Sequence, residues 1–386
     1  MEPGLFSKEL DTLREKGLLR SLVATSPDDS GRVEIDGKRF IDLSSNDYLG
    51  LSSHPVLKEA AKNAIERFGT GSRASRLMSG DVFLFRELEE SVSALKGTES
   101  SLVFGSGYLC NLSILAAISG PSDCIFLDRF SHASLVDGAL LSRARIRRFA
   151  HNDLENLFDM LEKERHRYRH AIIVAESIYS MDGDMAPVYK LVQMAKRFNA
   201  ILIVDEAHAL GVFGEHGEGV VERAEAEKPD IMVGTFGKAL GGYGAFCACS
   251  KEIRDYLVNK ARGLIYSTAL PPSVLASNKA AVELLDTLGN ERRKLLKMAS
   301  DLRSFIKKEL GLKTRGCSQI VPLILDDVNK CIMLEKHLFD YGFLSRAIRP
   351  PTVPKDSPRI RFSFSASHDS GVLASLKEAL LSFFKR

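Results

Sequence analysis

Between about residues 98 and 250 the chain repeats one pattern: a short, almost wholly apolar run, then a stretch with helical periodicity. The apolar runs are residues 101–104 (SLVF), 123–127 (DCIFL), 170–175 (HAIIVA), 200–204 (AILIV), 230–233 (DIMV) and 245–249 (AFCAC). None alternates polar with apolar, which suits strands covered on both faces. Between them Leu154, Leu157, Phe158 and Leu161 fall at i, i+3, i+4 and i+7, and so do Val188, Leu191, Val192 and Ala195. That spacing makes one apolar helix face. Strand and helix in alternation predict an α/β fold with a mostly parallel sheet.

The character changes after Pro271-Pro272. Residues 273–310 read as one long charged amphipathic helix, followed by a strand at 321–325 and a Pro-rich loop at 350–358. An alternating run at 359–365 (RIRFSFS) and a last helix at 371–385 complete a smaller α+β unit. The expected division is a segment 1–45 that opens with a charged helix and packs on the small unit, a large α/β domain 46–272, and a small domain 273–386.

Composition removes several classes. A net charge of +3 over 386 residues gives no reason to expect nucleic acid or an anionic membrane as main partner. No run of about 18 apolar residues exists, and the polar N-terminus lacks a secretory apolar core. The six cysteines (Cys110, Cys124, Cys247, Cys249, Cys317 and Cys331) form no CxxC pair, which fits reduced core residues in a cytoplasmic protein.

Familiar catalytic motifs are missing: there is no HExxH and no GxSxG, and no metal site is expected. Gly237-Lys238 resembles a phosphate-loop ending, but Ala239 replaces the Ser/Thr and Met232 the first Gly. The informative residues follow four of the strands, where open α/β sheets collect ligands. Gly105-Ser106-Gly107-Tyr108 is a Gly-rich turn opening a helix, either an anion cradle or a plain tight turn. Asp205 ends a buried apolar run, a costly position unless a cation meets it; a helix cap or an ordinary ion pair is the alternative. His208 lies three residues on. Lys238 sits among glycines, where another body can approach the backbone, and such a Lys can become an imine-forming nucleophile. His132 follows the strand ending near Asp128 and can stack on a flat ring, or simply cap a helix. A phosphate cradle, an imine-forming Lys, a carboxylate and a stacking ring are together what pyridoxal 5'-phosphate (PLP) requires.

Eight segments, SSNDYLGL, FGSGYLCN, DRFSHASL, SMDGD, VDEAHALG, TFGKALGG, YSTALPP and AIRPPTVP, resemble the α-oxoamine synthases. These are PLP enzymes of the fold-type-I aminotransferase superfamily, and the likeness runs from about residue 5 to the end. LRSL at 19–22, AHND at 150–153 and AIRPPTVP resemble the biotin-pathway branch. That branch condenses L-alanine with pimeloyl-CoA or pimeloyl-acyl carrier protein and releases CO2.

The resemblance implies roles. Lys238 carries PLP and moves the Cα proton; Asp205 meets the pyridine nitrogen; His208 lies near the 3-oxygen, with Ser180 nearby. His132 stacks on the ring and orients the acyl substrate, while Gly107, Tyr108 and Thr235 hold the phosphate. Ser267 and Thr268 reach the phosphate of a partner subunit, which implies a homodimer with shared sites. Arg349 clamps the amino-acid carboxylate beside Asn46, and Arg20 and Thr352 contact the acyl chain. Arg73, Arg76 and the cluster 143–148 are candidates for a phosphate-bearing or acidic carrier. A sister acyltransferase using glycine and acetyl-CoA, an aminotransferase of the same fold, and a regulator reusing it are the alternatives.

Overall fold

Seven strands build the central sheet of this computed structural model, which describes residue 4 and residues 6–222 and 224–385. They are β1 (Ser100–Phe104), β2 (Cys124–Asp128), β3 (Arg145–Phe149), β4 (Ala171–Glu176), β5 (Ile201–Asp205), β6 (Ile231–Thr235) and β7 (Ala245–Cys249). Their order across the sheet is β1-β7-β6-β5-β4-β2-β3. Only β7 runs against its neighbours; the other pairings are parallel. The parallel register sets Glu176 beside Asp205, so the carboxyl ends of β4 and β5 present their acids together.

Six of these strands are the apolar runs, and both sheet faces are covered as their composition requires. Within β4, Ile172 and Val174 face one apolar cluster while Ile173 and Ala175 face the other. Each large aliphatic side chain so buried contributes about 1.5–3 kcal/mol. The seventh strand, β3 (RIRRF), carries no apolar run because it is an edge strand with Arg145 and Arg148 in solvent.

The C-terminal unit has a three-stranded sheet in which Ile320–Ile324 pairs antiparallel with Arg359–Ser363, and Ala347–Ile348 with the same strand. Phe343–Leu344 pairs in parallel with Lys38–Asp42, tying the N-terminal segment to this unit. The N-terminal helix is Ser7–Glu15; residues 1–3 and 5 of the charged segment lie outside the described residues. The single long helix expected over 273–310 is instead two, Pro272–Leu284 and Gly289–Lys308, broken by a short 3-10 turn. The break separates their partners: the first packs on Pro55–Phe68 and Phe83–Lys96, the second on Ile320–Ile324. None of the described helices is long and apolar enough to cross a membrane.

One buried ion pair fixes the loop after β5. Lys96, with 1% of its side chain exposed, donates to Glu206, whose other oxygen accepts the Val220 and Val221 N–H groups at 2.8 and 3.0 Å. Removing one partner strands a buried charge. Lys96→Met is therefore expected to cost about 3–5 kcal/mol, read as a lower urea midpoint at unchanged slope.

Candidate active site

The turn after β6 delivers Lys238. It folds back tightly, with Gly242 N–H donating to Phe236 O at 2.8 Å. Gly241 has φ +65°, and a Cβ there would stand 2.2 Å from the Ser52 nitrogen. Only glycine satisfies both the left-handed backbone and the contact. The Lys238 amine lies 2.9 Å from His208 Nε2. Burial lowers its pKa to about 8, although the charges of Asp205 and Glu176 pull the other way. An amine so placed is partly neutral, hence nucleophilic, near neutral pH.

His208 is buried between this amine and the Tyr48 hydroxyl, 2.7 Å from its Nδ1. Burial first, then the cations Lys238 and Arg361, push its pKa well below the ordinary range. The ring is neutral at pH 7. Asp205 ends β5 with its carboxylate buried; one oxygen accepts from Asn111 Nδ2 at 2.8 Å and the other from the Ala207 N–H at 2.9 Å. Asn111 comes from helix α1 (Gly107–Ile118), whose N-terminal Gly107 and Tyr108 open the turn after β1. The Ser106 hydroxyl accepts the Leu109 N–H and caps the helix. Backbone N–H groups of a first helical turn have no intrahelical acceptor and attract anions. Gly107 faces Thr235: a Cβ there would meet Thr235 at 3.9 Å.

His132 caps helix α2 (Ala133–Ser142), its Nδ1 accepting the Ser134 N–H at 3.2 Å. Its own N–H donates to Glu176 Oε1 at 2.6 Å. Burial lowers the His132 pKa, against Asp205. Burial and the charge of Asp205 push the Glu176 carboxyl up to about 8.

Gly107, Asn111, His132, Asp205, His208 and Lys238 line one cavity of about 190 Å³, with Tyr108, Glu176 and Thr235 also on its wall. Tyr108 is 47% exposed, its hydroxyl donating to Asp137.

Other expected residues lie elsewhere. Arg349 is not at this cavity. Its guanidinium donates to Gly17 O, and it lines a second cavity of about 290 Å³ with Leu18, Arg20 and Thr352. Arg20 reaches the Thr352 hydroxyl at 3.4 Å. Ser267 and Thr268 line a separate small cleft with Arg76 and Gly105. Arg76 is not free to meet a carrier: it pairs with Asp81 at 2.7 Å and Glu89 at 2.6 Å and covers the Phe85 ring. Arg147 pairs with Glu164, while Arg73, Arg143, Arg145 and Arg148 are exposed. All six cysteines are free thiols, and only Cys317 is exposed.

Sequence reasoning missed Arg361, Asn111 and Glu176. Arg361 is buried on the strand Arg359–Ser363 and donates to Ser180 O at 2.7 Å and to Asn46 Oδ1 and Tyr48 Oη at 3.1 Å each. It thus gathers Asn46 and Ser180 beside His208. Among the described residues Arg361 forms no ion pair with a carboxylate, whereas Arg359 pairs with Asp182 at 2.7 Å.

Comparison with known proteins matches residues 38–380 to the family described as aminotransferase class I and II. The chain is 47% identical to the 8-amino-7-oxononanoate synthase of Geotalea daltonii, over 94% of this chain and 93% of that one. Among solved structures it is similar to serine palmitoyltransferase from S. paucimobilis with a bound PLP–myriocin adduct. There the TM-score is 0.89 at 32% identity, covering 98% of this chain and 99% of the other. It is also similar to 8-amino-7-oxononanoate synthase from Francisella tularensis, with TM-score 0.77 and 29% identity, covering 90% and 97%.

Proposed function

The chain belongs to the class I and II aminotransferase family and is a PLP-dependent transferase, and from that premise we propose a specific reaction. The protein joins L-alanine to a pimeloyl thioester, of CoA or of an acyl carrier protein, and forms 8-amino-7-oxononanoate, CO2 and free thiol. Biotin synthesis is the setting its relatives' names support.

The residues at the cavity fit PLP. A buried amine, a buttressed carboxylate and a helix N-terminus beside a glycine surround one space. The Asn111 Oδ1 atom is buried there without a hydrogen-bond partner. Bound PLP supplies an electron sink for charge developing at the amino acid's Cα. Lys238 would hold the cofactor and then take and return the Cα proton. Asp205, oriented by Asn111, would keep the pyridine nitrogen protonated. His132 would lie on the ring face, neutral and able to hydrogen-bond the thioester oxygen. Gly107, Tyr108 and Thr235 would take the phosphate, with Ser267 and Thr268 serving the partner subunit of a cytoplasmic homodimer. His208 and Ser180 would flank the 3-oxygen.

The amino-acid carboxylate falls to Arg361 rather than Arg349. Arg361 stands next to Asn46 and Ser180 and has no carboxylate of its own, and its guanidinium suits bidentate pairing. Arg349, Arg20 and Thr352 then line a separate cavity suited to the far, anionic end of the acyl chain. Residues 46–272 would form the cofactor domain and 273–386 the small domain, with 1–45 packed on the latter.

The observation that carries this reading is the meeting of Lys238, Asp205 and His132 on one cavity wall. Its test is a thiol-release assay crossing alanine, glycine and serine with acetyl-, succinyl-, palmitoyl- and pimeloyl-thioesters. Alanine with the pimeloyl thioester is expected to give the highest kcat/KM. Fastest release from glycine and acetyl-CoA would replace the reading with that of a glycine C-acetyltransferase.

A further inference from the structure

In the segment Ala150-His151-Asn152-Asp153, Asp153 caps the helix Leu154–Glu164, but neither a cap nor a cavity wall accounts for His151. His151 follows β3, outside the cavity, with 18% of its side chain exposed. Its Nδ1 lies 2.8 Å from Asp128 Oδ1 and its Nε2 lies 2.7 Å from Asp184 Oδ2. A carboxylate only accepts, so two carboxylates at the two ring nitrogens require both nitrogens to donate. The ring is an imidazolium. Burial opposes its charge, yet the hydrogen bonds and charges of Asp128 and Asp184 prevail and hold its pKa up at about 9. Phe130 covers the ring at 4.5 Å and 34°, and Tyr179 meets it edge-on at 4.4 Å and 86°. Cys317 lies beyond Asp184 and feels its charge.

The cluster joins three loops. Asp128 ends β2 and also accepts the Phe130 N–H at 2.8 Å and the Asn152 N–H at 2.9 Å. Asp184 accepts Asn152 Nδ2 at 2.9 Å, and its carbonyl accepts the Tyr179 N–H at 3.0 Å. Phe130 stands two residues before His132, and Tyr179 immediately precedes Ser180. The loop that brings His132 to the cavity and the loop whose Ser180 carbonyl meets Arg361 are therefore anchored to one cation.

We infer that the Asp128–His151–Asp184 cluster is a positioning device that sets His132 and Ser180 at the active site. It holds them through an imidazolium clamped between two carboxylates. The folded-state pKa of His151 is raised, so the clamp is whole below about 6.5 and is lost as pH rises through about 9. The inference rests on the reading of the cavity as the amino-acid site, and its test separates the two.

The holoenzyme is labelled with 15N-histidine, and exchange of the L-alanine Cα hydrogen with deuterium is followed without acyl donor. Both His151 ring N–H signals should be present at neutral pH, be absent from His151→Gln, and give way to a single ring N–H near pH 9 as one proton is lost. His151→Gln should lower the maximal exchange rate about tenfold or more, with KM for alanine within about twofold. Asp184→Asn should move the alkaline midpoint down by about one unit or more. A single ring N–H signal on His151 at neutral pH overturns the clamp. So does wild-type exchange by His151→Gln with only a lower melting temperature. If that variant does not fold, an unmoved midpoint in Asp184→Asn overturns it. Absence of exchange by the wild-type enzyme counts against the amino-acid site itself, while the ring signals still decide the clamp.

Discussion

Lys238→Ala lowers turnover by about 10⁴-fold or more while the protein stays folded. In the proposed reaction the amine is both the covalent anchor and the base at the Cα proton, and proton transfer by a placed side chain alone contributes about 10²–10⁴-fold. Folding should tolerate the change because the native state holds this ammonium at a desolvation cost, seen in its pKa of about 8. The melting temperature of the apoprotein is expected to stay level or rise. The check is hydride treatment followed by denaturation and mass spectrometry. Wild-type protein should carry the cofactor mass on the peptide containing Lys238, and the variant should carry none. A retained covalent adduct in the variant would place the anchor on another residue.

Asp205→Asn gives the second largest loss, about 10²–10⁴-fold in kcat. The substitution keeps the size of the side chain and removes the charge that would face the pyridine nitrogen. It also withdraws one of the charges raising the Lys238 pKa, so that amine titrates below about 8 in the variant. Cofactor loading of the apoprotein, followed by absorbance against pH, should therefore reach its plateau at lower pH than wild type. A variant with wild-type kcat would remove Asp205 from the chemistry, and a plateau at higher pH would contradict the electrostatics described for the cavity.

How far the site was legible depended on how local its signal was. Lys238, Asp205 and His132 each follow an apolar strand in a short motif, and the parallel sheet brings such strand ends together without further information. Glu176 carried the same signal as Asp205, an acid ending a buried apolar run, and its strand-register pairing shows it beside Asp205. Arg361 was illegible for a different reason. In RIRFSFS a polar residue at every second place, arginine then serine, reads as a solvent face. Here that face turns inward, and Arg361 meets Asn46, 315 residues away in the chain. No periodicity encodes a contact of that range. Arg349 sits in a conspicuous Pro-rich motif, yet its guanidinium donates to Gly17 O and lines a different cavity from Lys238. The edge strand β3 escaped notice because an edge need not be apolar, and the helix break at Leu285–Thr287 because apolar spacing continues through it.

One measurement tests the central claim most directly. L-alanine labelled with 13C in its carboxyl group is incubated with holoenzyme and a pimeloyl thioester, and labelled CO2, free thiol and product mass are followed together. The account predicts one labelled CO2 and one thiol for each molecule of 8-amino-7-oxononanoate formed. Pyruvate appearing without thiol release, or thiol release without labelled CO2, would contradict it.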